Sequence, residues 1–163
     1  KVVAPGTSGS AAQFSISGTP EVAVRLSFLM TEVKEVKLTA GTYTNTDGAT
    51  VTLAGDYMPV KFTLSNGSAS PLATGTLEQI ATFLNSYHVD YNPNADLSTT
   101  VPTYTLSWAW TFDVSTDADK ADSILGDLAA GVSGIKKGEI EIKPEDYSTE
   151  VSYKLTITAT QID

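Results

Sequence analysis

A chain of 163 residues with ten basic and nineteen acidic side chains carries a formal net charge of -9. The length fits one domain, and 41% hydrophobic residues support a packed core rather than disorder. With no Cys and a single His, His88, the chain excludes a disulfide framework, thiol catalysis, thiolate-held clusters and any site needing two His ligands.

The scattered basic residues do not make a phosphate-tracking surface, so nucleic acid is not an expected partner. No apolar run reaches the roughly 20 residues of a transmembrane helix. The first residues, Lys1 to Gly6, lack a secretory apolar region, which leaves a cytosolic protein or one whose leader has been removed. Low charge density and about a quarter Ser and Thr resemble secreted bacterial surface proteins.

In chain order, alternation with a period of two dominates. Gln13 to Ser17 reads as a short strand with Phe14 and Ile16 on one face. Residues 1–10 read as a flexible or strand-donating segment ahead of it. Val22, Val24, Leu26, Phe28 and Met30 share one face of a long half-buried strand, and Val33, Val36 and Leu38 suggest a bent continuation. Asp47-Gly48 predicts a hairpin from about Gly41–Tyr43 to Thr50–Leu53. Val60, Phe62 and Leu64 alternate, and Asn66-Gly67 ends that strand.

The period then changes. Leu77, Ile80, Ala81, Leu84 and Tyr87 predict an amphipathic helix, with Thr76 and Gln79 as a capping box. Residues 88–102 carry no clear period and read as a loop. Tyr104, Leu106, Trp108, Trp110 and Phe112 alternate strictly and mark the most aromatic strand as central to the core. Asp113 to Asp122 reads as an acidic turn, with Asp117 or Asp119 near the start of a second helix through Ile124, Leu125, Leu128, Ala129 and Val132, ended by Gly131 and Gly134. Ile140–Ile142 and Val151–Ile162 close the chain as strands, with Val151, Tyr153, Leu155, Ile157 and Ala159 sharing a face. About seven to nine strands without crossover helices predict a mainly β, antiparallel, jelly-roll-like β-sandwich over residues 1–163, with two short inserted helices.

Catalytic chemistry finds little support. Gly6-Thr7-Ser8-Gly9-Ser10 lacks the nucleophile-elbow pattern, and His88 stands alone as a triad base. The motif His-Glu-x-x-His is absent. Asp113, Asp117, Asp119, Asp122 and Asp127 are the best hard-oxygen ligands and make calcium the one cofactor candidate, against a solvated turn with helix-capping carboxylates. Tyr57, Tyr91, Trp108 and Trp110 suit a sugar-binding platform, but the alternation of the two Trp favours the core. Asn66-Gly67-Ser68 is a glycosylation sequon by pattern.

Four ordered segments resemble the TasA/camelysin family of secreted bacterial surface and matrix proteins. They are Val3 to Ser10 with the strand around Phe14–Ile16; Tyr57 to Leu64 with Gly75-Thr76-Leu77; Leu106 to Phe112 with Asp119 to Gly126; and the terminal Thr158 to Asp163. The resemblance implies a jelly-roll-like sandwich, export, and a role in extracellular fibres or biofilm matrix. It implies self-association in which one subunit's N-terminal segment completes the next subunit's sheet. Val2, Val3, Phe14 and Ile16 are the expected assembly residues. With only four residues before Pro5, the donated strand is either very short or includes the Gly/Ser stretch. The leading expectation is thus a non-enzymatic, extracellular structural subunit. A cell-surface binding module with a glycan or protein partner is the second reading, and a metal-dependent hydrolase the third.

Overall fold

The structure, a computed structural model, describes residues 3–111 and 115–163. It is mainly β, with several antiparallel sheets and three helices. In chain order the strands and helices are β1 (Thr7–Phe14), β2 (Val24–Lys34), β3 (Lys37–Leu38), β4 (Gly41–Thr44), β5 (Thr50–Leu53), β6 (Val60–Ser65) and β7 (Ala73–Gly75), then α1 (Leu77–Ser86), β8 (His88–Tyr91), α2 (Leu97–Thr100), β9 (Tyr104–Trp110) and α3 (Thr116–Ala129), and finally β10 (Lys136–Lys137), β11 (Ile140–Glu141), β12 (Tyr147–Ser148) and β13 (Ser152–Gln161). The chain divides into two compact units.

One unit comprises Gly9–Val33, Lys61–Trp108 and Ser152–Asp163. It is a sandwich of a four-stranded sheet, ordered β1-β9-β6-β7, and a three-stranded sheet, ordered β13-β2-β8. Alternation puts Val24, Leu26, Phe28 and Met30 of β2 inside, as it does Phe62 and Leu64 of β6 and Tyr104, Leu106 and Trp108 of β9. Rings from the two sheets meet: Phe28 lies 5.3 Å from Tyr104 and 6.2 Å from Phe14, centroid to centroid. β8 pairs antiparallel with β2, with Arg25 opposite Asp90, and the two side chains join through a pair of 2.7 Å hydrogen bonds.

The other unit comprises Lys1–Ser8, Lys34–Val60 and Ala109–Val151. Its four-stranded sheet, ordered β11-β10-β4-β5, contains the expected hairpin, with Tyr43 opposite Val51 and Gly48 at φ 87° in the turn. β3 pairs with β12, and α3 packs on β3 and β5. Its buried apolar residues include Val36, Leu38, Tyr43, Val51, Val60, Ile124, Leu125 and Ile135 beside Trp110 and Leu128.

Several sequence expectations need correction. The first strand begins at Thr7, within the stretch read as flexible, and ends at Phe14, so Ile16 lies beyond it. Val22 is exposed and β2 starts at Val24. The alternation of β2 breaks at Glu32, which adopts φ 53°, a conformation uncommon for a residue with a Cβ; Val36 and Leu38 beyond the strand are buried. Residues 88–102 are not a plain loop but contain β8 and α2, the latter capped by Asp96, whose carboxylate accepts from the Ser98 N–H at 3.0 Å. Both elements are four residues long, too short to display a period. The described residues therefore hold three α-helices rather than two. α3 begins at Thr116, so most of the acidic turn is helix, and its N-cap is Ser115 rather than an Asp. Ala129 and Val132 are exposed; the helix ends at Ala129, with Ala130 as its C-cap and Gly131 at φ 76°, and the Val132 N–H reaches back to the Asp127 carbonyl. Ala159 is exposed, while Tyr153, Leu155 and Ile157 are half-buried. Phe112 lies outside the described residues.

The capping box of α1 forms as its sequence requires. Thr76 Oγ1 accepts from the Gln79 N–H at 3.2 Å and Gln79 Oε1 accepts from the Thr76 N–H at 3.0 Å. Thr76→Ala removes one of these and should lower stability by about 1 kcal/mol in urea unfolding.

Candidate functional site: the N-terminal segment and its partners

The first described residues form a turn with a clear cause. Pro5 presets one backbone angle and Gly6 supplies φ 77°, so Ala4-Pro5-Gly6-Thr7 closes with the Thr7 N–H on the Ala4 carbonyl at 3.1 Å. The Thr7 side chain reinforces it: its hydroxyl accepts from the Ala4 N–H at 3.1 Å and donates to the Ala4 carbonyl at 2.5 Å. Gly6 then donates to the Trp110 carbonyl at 2.8 Å, which fixes the start of β1 at the end of β9.

β1 is an edge strand with β9 as its one neighbour in the sheet. Its sequence, Thr-Ser-Gly-Ser-Ala-Ala-Gln-Phe, carries small side chains up to Ala12. Phe14 is the anchor. Its ring stacks on Tyr104 at 5.1 Å and 11° and tilts against Phe28. Burial pushes the Tyr104 hydroxyl above the ordinary phenol range, and the Tyr87 hydroxyl at 3.5 Å adds to the shift. A neutral, buried Tyr104 is thus the platform on which the first strand ends. Beyond Phe14, Gly18 adopts φ 131° with open space where a Cβ would sit, and its carbonyl accepts from the Leu97 N–H at 2.8 Å.

The expected assembly residues are therefore dispersed. Phe14 sits in the aromatic cluster, Ile16 is half-buried past the strand, and Val3 lines a cavity of about 300 Å³ in its own compact unit. Val2 lies outside the described residues. The roles of Tyr104 and Trp110 as partners of the N-terminal segment are not readable from sequence, because strand pairing is a long-range property; the Pro-Gly pair is the one local signal of the turn.

Of the calcium candidates, Asp117 and Asp119 occupy the first turn of α3, where carboxylates suit the positive end of the helix dipole. Asp122 is buried, and its Oδ1 accepts from Trp110 Nε1 at 3.0 Å and from the Tyr57 hydroxyl at 2.8 Å. Asp113 lies outside the described residues. Among the described residues, no three His, Cys, Asp or Glu side chains gather to hold a metal. Trp108 and Trp110 are 7% and 3% exposed, so neither offers a face to a sugar. Tyr57 and Tyr91 are half-buried, and His88 is exposed on β8. Asn66 stands in the turn after β6, its side-chain carbonyl accepting from the Ser68 N–H at 3.2 Å. No described helix is long and apolar enough to cross a membrane.

A second polar centre holds the 136–148 segment. Lys137 Nζ lies 2.7 Å from Asp146 Oδ1 and 2.7 Å from Thr39 Oγ1, with the Tyr43 ring beneath it at 5.7 Å. The hydrogen bond to Asp146 raises the Lys137 pKa, and the same bond lowers that of Asp146.

No family model matches the chain, and no curated protein or solved structure matches it either.

Two outcomes follow. Asp122→Ala leaves the Trp110 and Tyr57 donors without this acceptor and should cost about 1–3 kcal/mol, with a changed near-ultraviolet Trp signal. The Lys137–Asp146 pair should stabilise the fold only while both groups are charged. The Asp146 contribution is present above its ordinary carboxylate pKa and is lost as pH falls through its lowered folded value. The Lys137 contribution is present below the ordinary amine pKa and is lost as pH rises through its raised folded value. Asp146→Asn should flatten both limbs of the stability–pH curve, read by urea midpoints across pH.

Proposed function

We propose that this chain is a non-enzymatic structural subunit of an extracellular, cell-surface or biofilm-matrix filament that assembles by exchange of its N-terminal strand. The observation that carries the reading is the placement of β1: an edge strand of mostly small side chains, held by one neighbouring strand and one aromatic anchor, behind a Pro-Gly turn. An edge strand of this kind pairs through main-chain groups, which any copy of the same chain supplies equally well. Passing the strand from one subunit to the next gives a head-to-tail contact that does not close, and so a filament. The ordered resemblance to the TasA/camelysin proteins supports the same reading and supplies the extracellular setting.

The test is electron microscopy of the purified protein over a range of pH and concentration, beside Ser10→Pro and Phe14→Ala. Concentration-dependent filaments are expected from the native chain. Ser10→Pro should interrupt β1 pairing, and Phe14→Ala should release the anchor, so both should shorten or abolish filaments. Monodisperse monomers of the native chain under every condition would overturn the reading.

A further inference from the structure

The cavity beside the N-terminal turn has a composition that sets it apart from a packing defect. It measures about 300 Å³ and opens to solvent, and among the described residues its wall of Val3, Pro5, Trp110, Gly126 and Ala129 carries one hydroxyl, that of Thr149. All of these residues belong to one compact unit. Trp110 is not free to swing into the space, because its indole N–H is held by buried Asp122. Gly126 is an independent sign. It stands within α3, where Gly is a poor helix former, and a Cβ at that position would meet nothing within 4 Å. No close packing requires the glycine, and the residue lines the cavity. Small Ala129 and Ala130 extend the same open wall.

We propose that this cavity binds one unbranched alkyl chain whose head group is neutral or cationic. The volume is at the low end of ligand pockets, about 300–1,000 Å³, which suits one aliphatic branch rather than a whole drug-sized molecule. An inserted peptide would bring backbone N–H and C=O groups against apolar walls with one hydroxyl to meet them, whereas an alkyl chain asks for no hydrogen bonds. The head-group preference comes from α3. The cavity lies along its C-terminal turns, at the negative end of the helix dipole, where no basic residue stands in the last turn and Asp127 follows Gly126. An anionic head would be repelled there.

The test uses the full chain with decyl maltoside, decyltrimethylammonium and decanoate, each below its micelle concentration, read by calorimetry and Trp fluorescence. Saturable one-to-one binding of the first two is expected, with decanoate weaker by about tenfold or more. Gly126→Leu should fill the space and weaken binding by about tenfold. Gly126→Ala should raise the thermal midpoint by improving the helix while still weakening binding, and it decides the matter if the Leu variant does not fold. The proposal is overturned by absence of saturable binding, by decanoate binding as tightly as the other two, or by Gly126 variants that fold and bind like the native chain. A free Val-Val-Ala-Pro peptide that binds where the alkyl probes do not would also overturn it and assign the cavity to a chain segment.

Discussion

The buried face of β9 is the constraint on which the other features rest. A strand alternates its side chains, so Tyr104, Leu106, Trp108 and Trp110 all point to one side, and all four are buried. With no Cys anywhere in the chain, no disulfide supplements apolar burial of this kind. The two ends of the strand then take different partners. Tyr104 receives Phe14 and Phe28. Trp110 donates its indole N–H to Asp122, and its backbone carbonyl accepts from the Gly6 N–H.

That arrangement places the N-terminal strand in a position of balance. β1 owes its place to a ladder along β9, a turn bond at one end and a ring stack at the other. None of these contacts depends on β1 belonging to the same chain as β9. Exchange with an identical strand from a second copy would preserve the same hydrogen bonds and the same Phe14–Tyr104 stack. What exchange costs is the freedom of the second chain, and concentration offsets that cost. The physics of strand donation is thus compatible with a strand that also folds back on its own chain.

Asp122 shows one carboxylate of the acidic stretch taken up by core hydrogen bonds rather than left in a solvated turn. Five carboxylates within fifteen residues look like a ligand cluster when the chain is read as a turn. Asp117, Asp119, Asp122 and Asp127 stand on α3, which turns about 100° per residue and so spreads the four around its circumference. Asp117 and Asp119 remain near the N-terminus of α3, while Asp122 enters the core and meets two donors. The helix signal was present in Ala118, Ala121, Leu125 and Leu128, spaced three and four apart, but the acidic residues between them obscured its start.

The sequence by itself determined the elements whose signals are local: the alternation of β2, β6 and β9, the hairpin at Asp47-Gly48, the capping box of α1, and the mainly β class. Each rests on neighbours a few residues apart, within reach of rotamer, turn and capping chemistry. Only the tertiary structure decided that Thr7–Phe14 is an edge strand on β9, that Trp110 bonds to a helix beginning six residues later, and that Gly126 faces a cavity. The small residues of β1 carry almost no hydrophobic period, so nothing in them announces a strand until β9 supplies the main-chain partners. Pairing and cavities come from segments that are distant in the chain, and no local pattern encodes which of them meet.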